Sequence, residues 1–144
     1  MGAGAANPNM WIYVKKCSIS DAYVWIATFL RDLRLAYRSE PTGIYEGVSH
    51  DFTETAVFRE GIGIDGAYLE INFTDYQRRW KTRADLAREA FYALGREVRW
   101  APEQEHPEYH QGEFMVINEI GERLVDWDEE EEMEQGNDST RSLP

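Results

Sequence analysis

The segment His106-Pro107-Glu108-Tyr109-His110 holds two of the three histidines in the chain, four positions apart with an acid between them. Imidazole and carboxylate groups ligate zinc and similar divalent ions, and on a helix that spacing would put both rings on one face. His50-Asp51 could complete such a site. The acid stands at the wrong offset for the base of an H-E-x-x-H metalloprotease. The flanks (Pro102, Glu103, Glu105, Gln111, Gly112) read as a polar loop, where histidine is routine. The expectation is therefore no metal and no cofactor. A small metal-dependent enzyme using His106, Glu108 and His110 stands as the alternative.

Other chemical signals are weaker. Cys17 is the single cysteine, so no internal disulfide can form, and a reducing, cytoplasmic setting is favoured. Lys15 and Lys16 would lower a neighbouring thiol pKa. Every histidine is distant in sequence, however, and Cys17 reads as a small residue at a strand end. Gly61-Ile-Gly-Ile-Asp-Gly66 matches G-x-G-x-x-G in letters alone. The dinucleotide motif needs a helix after it to hold the pyrophosphate, whereas residues 67–73 read as a strand, so this is a glycine-rich hairpin turn. No G-x-S-x-G and no phosphate-binding G-x-x-x-x-G-K-[ST] occurs. With 27 acids in the chain, paired carboxylates carry no information. These observations shift weight from catalysis toward binding.

Charge is the strongest compositional feature. The net charge is −12, and eight of the 27 acids (Asp126, Asp128, Glu129, Glu130, Glu131, Glu132, Glu134, Asp138) lie from position 126 onward, against Arg141 alone. The preceding residues carry 14 bases and 19 acids, a charge of −5. Most of the acidity therefore belongs to a tail, and blocks of like charge stay solvated and often act as interaction arms. Arg78, Arg79, Lys81, Arg83, Arg88, Arg96 and Arg99, with Arg31, Arg34 and Arg38, suggest a basic face on the body, over which the tail could fold back. Net negative charge opposes approach to nucleic acid at long range, so no direct nucleic-acid binding is expected. Nor is membrane insertion, since no apolar run approaches the roughly 20 residues a spanning helix needs.

Five tryptophans are many for a chain of this length. Trp80 and Trp127 have charged neighbours and are the two expected at the surface, where tryptophan anchors protein interfaces.

The elements that would position these residues follow from periodicity and punctuation. Residues 10–14 (Met-Trp-Ile-Tyr-Val) are aromatic and β-branched and predict a first strand. Ser18-Ile-Ser-Asp21 is a helix-capping pattern. Ala22, Ile26, Phe29, Leu33 and Tyr37 then recur at helical spacing, which predicts one amphipathic helix up to the stop at Glu40-Pro41. Residues 44–48, 56–59 and 67–73 predict three strands, with Asp65-Gly66 as a turn. Thr82-Arg-Ala-Asp85 caps a second helix with the stripe Leu86, Ala87, Ala90, Phe91 and Leu94, ended by Gly95. Residues 97–100, 113–118 and 123–127 predict three more strands. The expected class is α+β: two amphipathic helices on one face of a mainly antiparallel sheet, in the order β-α-β-β-β-α-β-β-β. The expected organisation is a flexible leader at 1–9, a single domain at 10–128 and a disordered acidic tail at 129–144.

Size, acidity and the lack of catalytic motifs fit a small acidic intracellular binding protein or inhibitor. The expected type is a toxin-immunity protein or a phage anti-defence protein. Its partner would be a basic protein, such as a nuclease or a nucleic-acid-binding protein. Trp127, Asp126, Asp128, Glu129, Glu130, Glu131, Glu132 and Trp80 are the expected contact residues.

Overall fold

A computed structural model describes residues 10–49, 52–63, 65–74, 79–102, 112–127 and 130. The leader at 1–9, His50-Asp51, the segment with His106, Glu108 and His110, and the acidic run beyond Trp127 apart from Glu130 lie outside the described residues.

The described residues form β1 (Met10–Lys15), α1 (Ile19–Ile26), β2 (Arg31–Ser39), β3 (Thr42–Ser49), β4 (Phe52–Ile62), β5 (Tyr68–Thr74), α2 (Arg83–Leu94), β6 (Val98–Trp100), β7 (Glu113–Asn118) and β8 (Gly121–Asp126). All eight strands join one sheet in the order β2-β3-β4-β5-β1-β6-β7-β8. Every neighbouring pair is antiparallel. The expected α+β architecture is present, with both helices packed on one sheet face.

Alternation in the strands decides which side chains meet the helices. On β1, Met10, Ile12 and Val14 are buried while Trp11, Tyr13 and Lys15 face the other way. The register sets them opposite Phe73, Ile71 and Leu69 of β5. With Ala56 and Phe58, Val98 and Trp100, and Ile117, these residues form the floor on which Ala22, Trp25 and Ile26 of α1 and Leu86, Ala87 and Ala90 of α2 pack. Burying each of the larger side chains contributes about 1.5–3 kcal/mol.

Both helix starts follow their sequence signals. The Ser18 hydroxyl accepts from the Asp21 amide at 3.0 Å and the Asp21 carboxylate accepts from the Ser18 amide. The Thr82 hydroxyl accepts from the Asp85 amide at 3.1 Å. Gly95 ends α2 in the left-handed conformation (φ 66°), with its amide donating to the Phe91 carbonyl.

The first helix is much shorter than its periodicity predicts. It ends at Ile26, and the Phe29 and Leu30 amides both donate to the Ile26 carbonyl. Residues 31–39, expected on the helix, form β2 at the sheet edge, so four strands rather than three separate the helices. Leu33, Leu35 and Tyr37 also alternate with Arg34, Ala36 and Arg38, and that competing period of two prevails once β3 offers its backbone for pairing. A register shift between Leu35 and Tyr37 turns these two side chains to opposite faces. Leu30 is buried against Gly47, where an added Cβ would come within 2.8 Å of the Leu30 Cβ. Glu40-Pro41 makes the turn of the β2–β3 hairpin and not a helix stop.

Candidate functional site

The sheet face away from the helices carries Trp11 and Tyr13 from β1, Tyr68, Glu70 and Asn72 from β5, Arg99 from β6, and Phe114, Val116 and Asn118 from β7. Polar and aromatic residues gather at its centre because β1 lies between β5 and β6, bringing strands far apart in sequence side by side. Gly95 and Arg96 turn the chain out of α2, and Glu97 enters the sheet on this face beside Arg99.

Glu97 is the hub. One carboxylate oxygen accepts from the Tyr68 hydroxyl at 2.8 Å and from Arg99 Nε at 3.1 Å. The other accepts from Asn118 Nδ2 at 3.1 Å. Arg99, with 6% of its side chain exposed, reaches Glu130 Oε1 through Nη1 at 2.6 Å. The guanidinium lies between aromatic rings, 4.8 Å from the Trp127 centroid and 5.2 Å from that of Tyr68. The Trp127 indole packs edge-on against Tyr13 at 5.3 Å, Tyr68 at 4.8 Å and Phe114 at 5.0 Å. Its amide donates to the Gly112 carbonyl at 2.9 Å, extending the β7–β8 pairing by one residue.

The electrostatics of this cluster follow from its contacts. Burial alone would raise the Glu97 pKa, but hydrogen bonds from Asn118 and Tyr68 and the Arg99 charge outweigh it and hold the carboxyl below its ordinary value. Burial, reinforced by donation to Glu97, raises the Tyr68 phenol. Tyr13 is pushed up to about 12, by burial first and then by the nearby Glu70 charge. Burial would lower Arg99, yet the groups around it, with Glu130 and Glu97 among them, raise it. A carboxylate saturated by three donors and a phenol held neutral are poorly matched to proton transfer near pH 7. The cluster is chemically suited to holding charges and rings in place.

Two clefts flank it. One of about 420 Å³ is lined by Lys16, Cys17, Ser18, Glu60, Gly61, Gly66, Ala67 and Tyr68. Burial, with the Asp21 charge, pushes the Cys17 thiol up to about 11, so it is protonated at neutral pH and not an activated nucleophile. The glycine-rich match at 61–66 leads into β5 and not into a helix. A second cleft, of about 300 Å³, is lined by Phe91, Gly95, Glu97, Asn118, Glu119 and Ile120. Among the described residues, no group of three or more His, Cys, Asp or Glu is gathered for a metal. Among them, too, no helix is long and apolar enough to cross a membrane.

The structure places the expected contact residues differently from one another. Trp80 is 3% exposed, inside the core against Trp25, Phe29 and Phe73. Its charged neighbours misled: Arg79 does not carry the indole to the surface but lies over its ring and shares its partner Glu89. Arg79 lies over Phe29 while the Trp80 indole N–H donates to Glu89 at 3.2 Å. Trp127 is half-buried on its own sheet, and Glu130 is paired with Arg99. Asp126 ends β8. Asp128, Glu129, Glu131 and Glu132 lie outside the described residues.

The expected basic face is dispersed. Arg83 is buried, stacked 3.5 Å from the Trp11 centroid and donating to the Ala101 carbonyl at 3.2 Å. Arg34, Arg38, Arg79, Arg88 and Arg96 each pair with a carboxylate of the body, Glu46, Glu40, Glu89, Glu122 and Asp21 in turn. Sequence reasoning missed Tyr68, Glu97, Arg99 and Asn118 as a group, and no local motif links them. Only the period-two placement of Glu97 and Arg99 on one strand face was there to find. No protein-family model, no curated protein and no solved structure matches this chain.

Proposed function

We propose that this chain is a small acidic binding protein of the cytoplasm that docks onto a basic protein and blocks it. It would act as an inhibitor of the toxin-immunity or phage anti-defence type, with a nuclease or nucleic-acid-binding protein as partner. The observation that carries this reading is the rooting of the acidic run. Trp127 and Glu130 tie its start to the sheet face away from the helices, so a segment dense in carboxylates begins at a defined place on the sheet. The arginines of the body are largely neutralised within the body, and the residues from 126 onward carry eight acids against one base, the larger part of the −12 net charge. A one-sign field of this kind steers a basic partner and accelerates encounter.

The test is comparative capture from the native host. The immobilised chain is set against the chain with Glu129, Glu130, Glu131 and Glu132 changed to Gln, and retained proteins are identified by mass spectrometry. The expected result is a basic protein held by the first and lost from the second. Its association rate should fall steeply as salt shortens the Debye length below about 10 Å. A retained set that is the same for both chains sinks the reading. The residues of the metal-dependent alternative, His106, Glu108 and His110, lie outside the described residues.

A further inference from the structure

We propose that the recess holding Trp127 and Glu130 is a binding socket for a peptide segment with an aromatic side chain and a carboxylate three positions after it. In this structure the chain's own Trp127 and Glu130 fill the socket in cis.

The recess is built by the sheet and not by its occupant. Its walls, Tyr13, Tyr68 and Phe114, stand on β1, β5 and β7, and Tyr13 and Phe114 also contact each other edge-on at 5.9 Å. Its cation is aimed in advance: Glu97 takes Arg99 Nε, and Glu97 is itself held by Tyr68 and Asn118. Nη1 is left to meet a carboxylate from outside the sheet, and Glu130 supplies it. Trp127 and Glu130 help to cover the guanidinium, which has 6% of its side chain exposed while they are in place. Their departure leaves a cation still held in position by Glu97, and a fixed guanidinium favours another carboxylate. The rings give the second half of the recognition, since edge-to-face contacts on several sides suit a flat aromatic group better than an aliphatic one.

The occupant, by contrast, is held by contacts that can be exchanged. Glu130 keeps 35% of its side chain exposed, and Trp127 adds one hydrogen bond beyond the end of β8. Withdrawing them costs that one bond at the end of the β7–β8 ladder and leaves the pairing from Glu113 and Asp126 onward in place. The tether gives the cis segment a high effective concentration, so a segment in trans competes well only when the cis segment is drawn away or disabled. This inference does not depend on a basic partner, although a protein that pulls on the acidic run would open the socket.

The test uses the full chain and a fluorescently labelled peptide copying residues 126–134, in salt high enough to screen the repulsion between two acidic molecules. The Trp127→Ala, Glu130→Gln double variant should bind the peptide at least about tenfold more tightly than the unaltered chain, the cis advantage having been removed. On that variant, a peptide with its Trp changed to Ala, or with the Glu three positions later changed to Gln, should bind at least about tenfold more weakly. Equal affinity for the two chains, binding to neither, or indifference to the peptide's Trp would overturn the proposal. Should circular dichroism show that the double variant is unfolded, Glu130→Gln alone serves. It should bind several-fold more tightly than the unaltered chain, and equal affinity would be decisive against the socket. Loss of the basic partner in the capture experiment leaves these outcomes untouched, so the two proposals fail separately.

Discussion

Glu97 shows how a single side chain can organise a face. Its carboxylate gathers a phenol, an amide and a guanidinium from three other positions. Removing its charge leaves Arg99 short of an anion in a buried setting, so Glu97→Gln should destabilise by about 3 kcal/mol at pH 7. A lowered folded-state pKa contributes stability above the unfolded value of about 4.3, and that stability is lost as pH falls through the folded value. Urea midpoints measured across acid pH should therefore fall less steeply in Glu97→Gln than in the unaltered chain. Parallel acid limbs would show that Glu97 does not carry this term. Gly47 makes a second point at this scale. A Cβ there would meet Leu30 Cβ at 2.8 Å, Leu33 Cδ1 at 3.1 Å and the Arg31 carbonyl at 3.3 Å. Relief requires backbone movement, so Gly47→Ala should cost about 2 kcal/mol, and a neutral effect in urea titration would contradict the close approach.

At the scale of elements, caps are local and were legible, whereas the length of α1 was not. The Thr82 cap forms with its partner in sequence, the Asp85 amide. Thr82→Ala should cost about 1 kcal/mol, measured as a shift in urea midpoint. Residues 31–39 satisfy two periods at once, and nothing within the segment chooses between them. The choice falls to β3, which pairs with β2 along most of its length, and to Tyr23, whose hydroxyl donates to the Leu33 carbonyl at 3.3 Å. Tyr37 discriminates between the alternatives. On a helical stripe it would be core, and losing its ring would cost several kcal/mol. As an edge-strand residue 57% exposed, it should tolerate Tyr37→Thr within about 0.5 kcal/mol.

For the whole molecule, charge competes with itself. The exposed ion pairs, such as Arg79–Glu89 and Arg88–Asp85, each contribute at most about 1 kcal/mol and weaken with salt. Repulsion within a chain of net charge −12 also weakens with salt and has no compensating partner. The repulsive term should prevail, so resistance to urea should rise as sodium chloride is added, and rise less when Glu129, Glu130, Glu131 and Glu132 are changed to Gln. A fall in stability with salt would mean that the ion pairs dominate.

The amino-acid order by itself determined what neighbouring residues settle among themselves. Ser18 and Thr82 cap because their amide partners lie three positions on, Gly95 stops a helix because it tolerates a left-handed backbone, and residues 68–74 alternate because one face is apolar. These features also suffice for the α+β class. Only the tertiary structure decided what depends on strands meeting across long stretches of chain. It turned residues 31–39 into an edge strand, buried Trp80 beside its charged neighbours, and split the arginines between ion pairs and the interior. It also brought Tyr68, Glu97, Arg99, Asn118 and Trp127 together, because β1 inserts between β5 and β6. Hydrogen-bonded pairing between distant strands decides that order, and no window of sequence contains both partners.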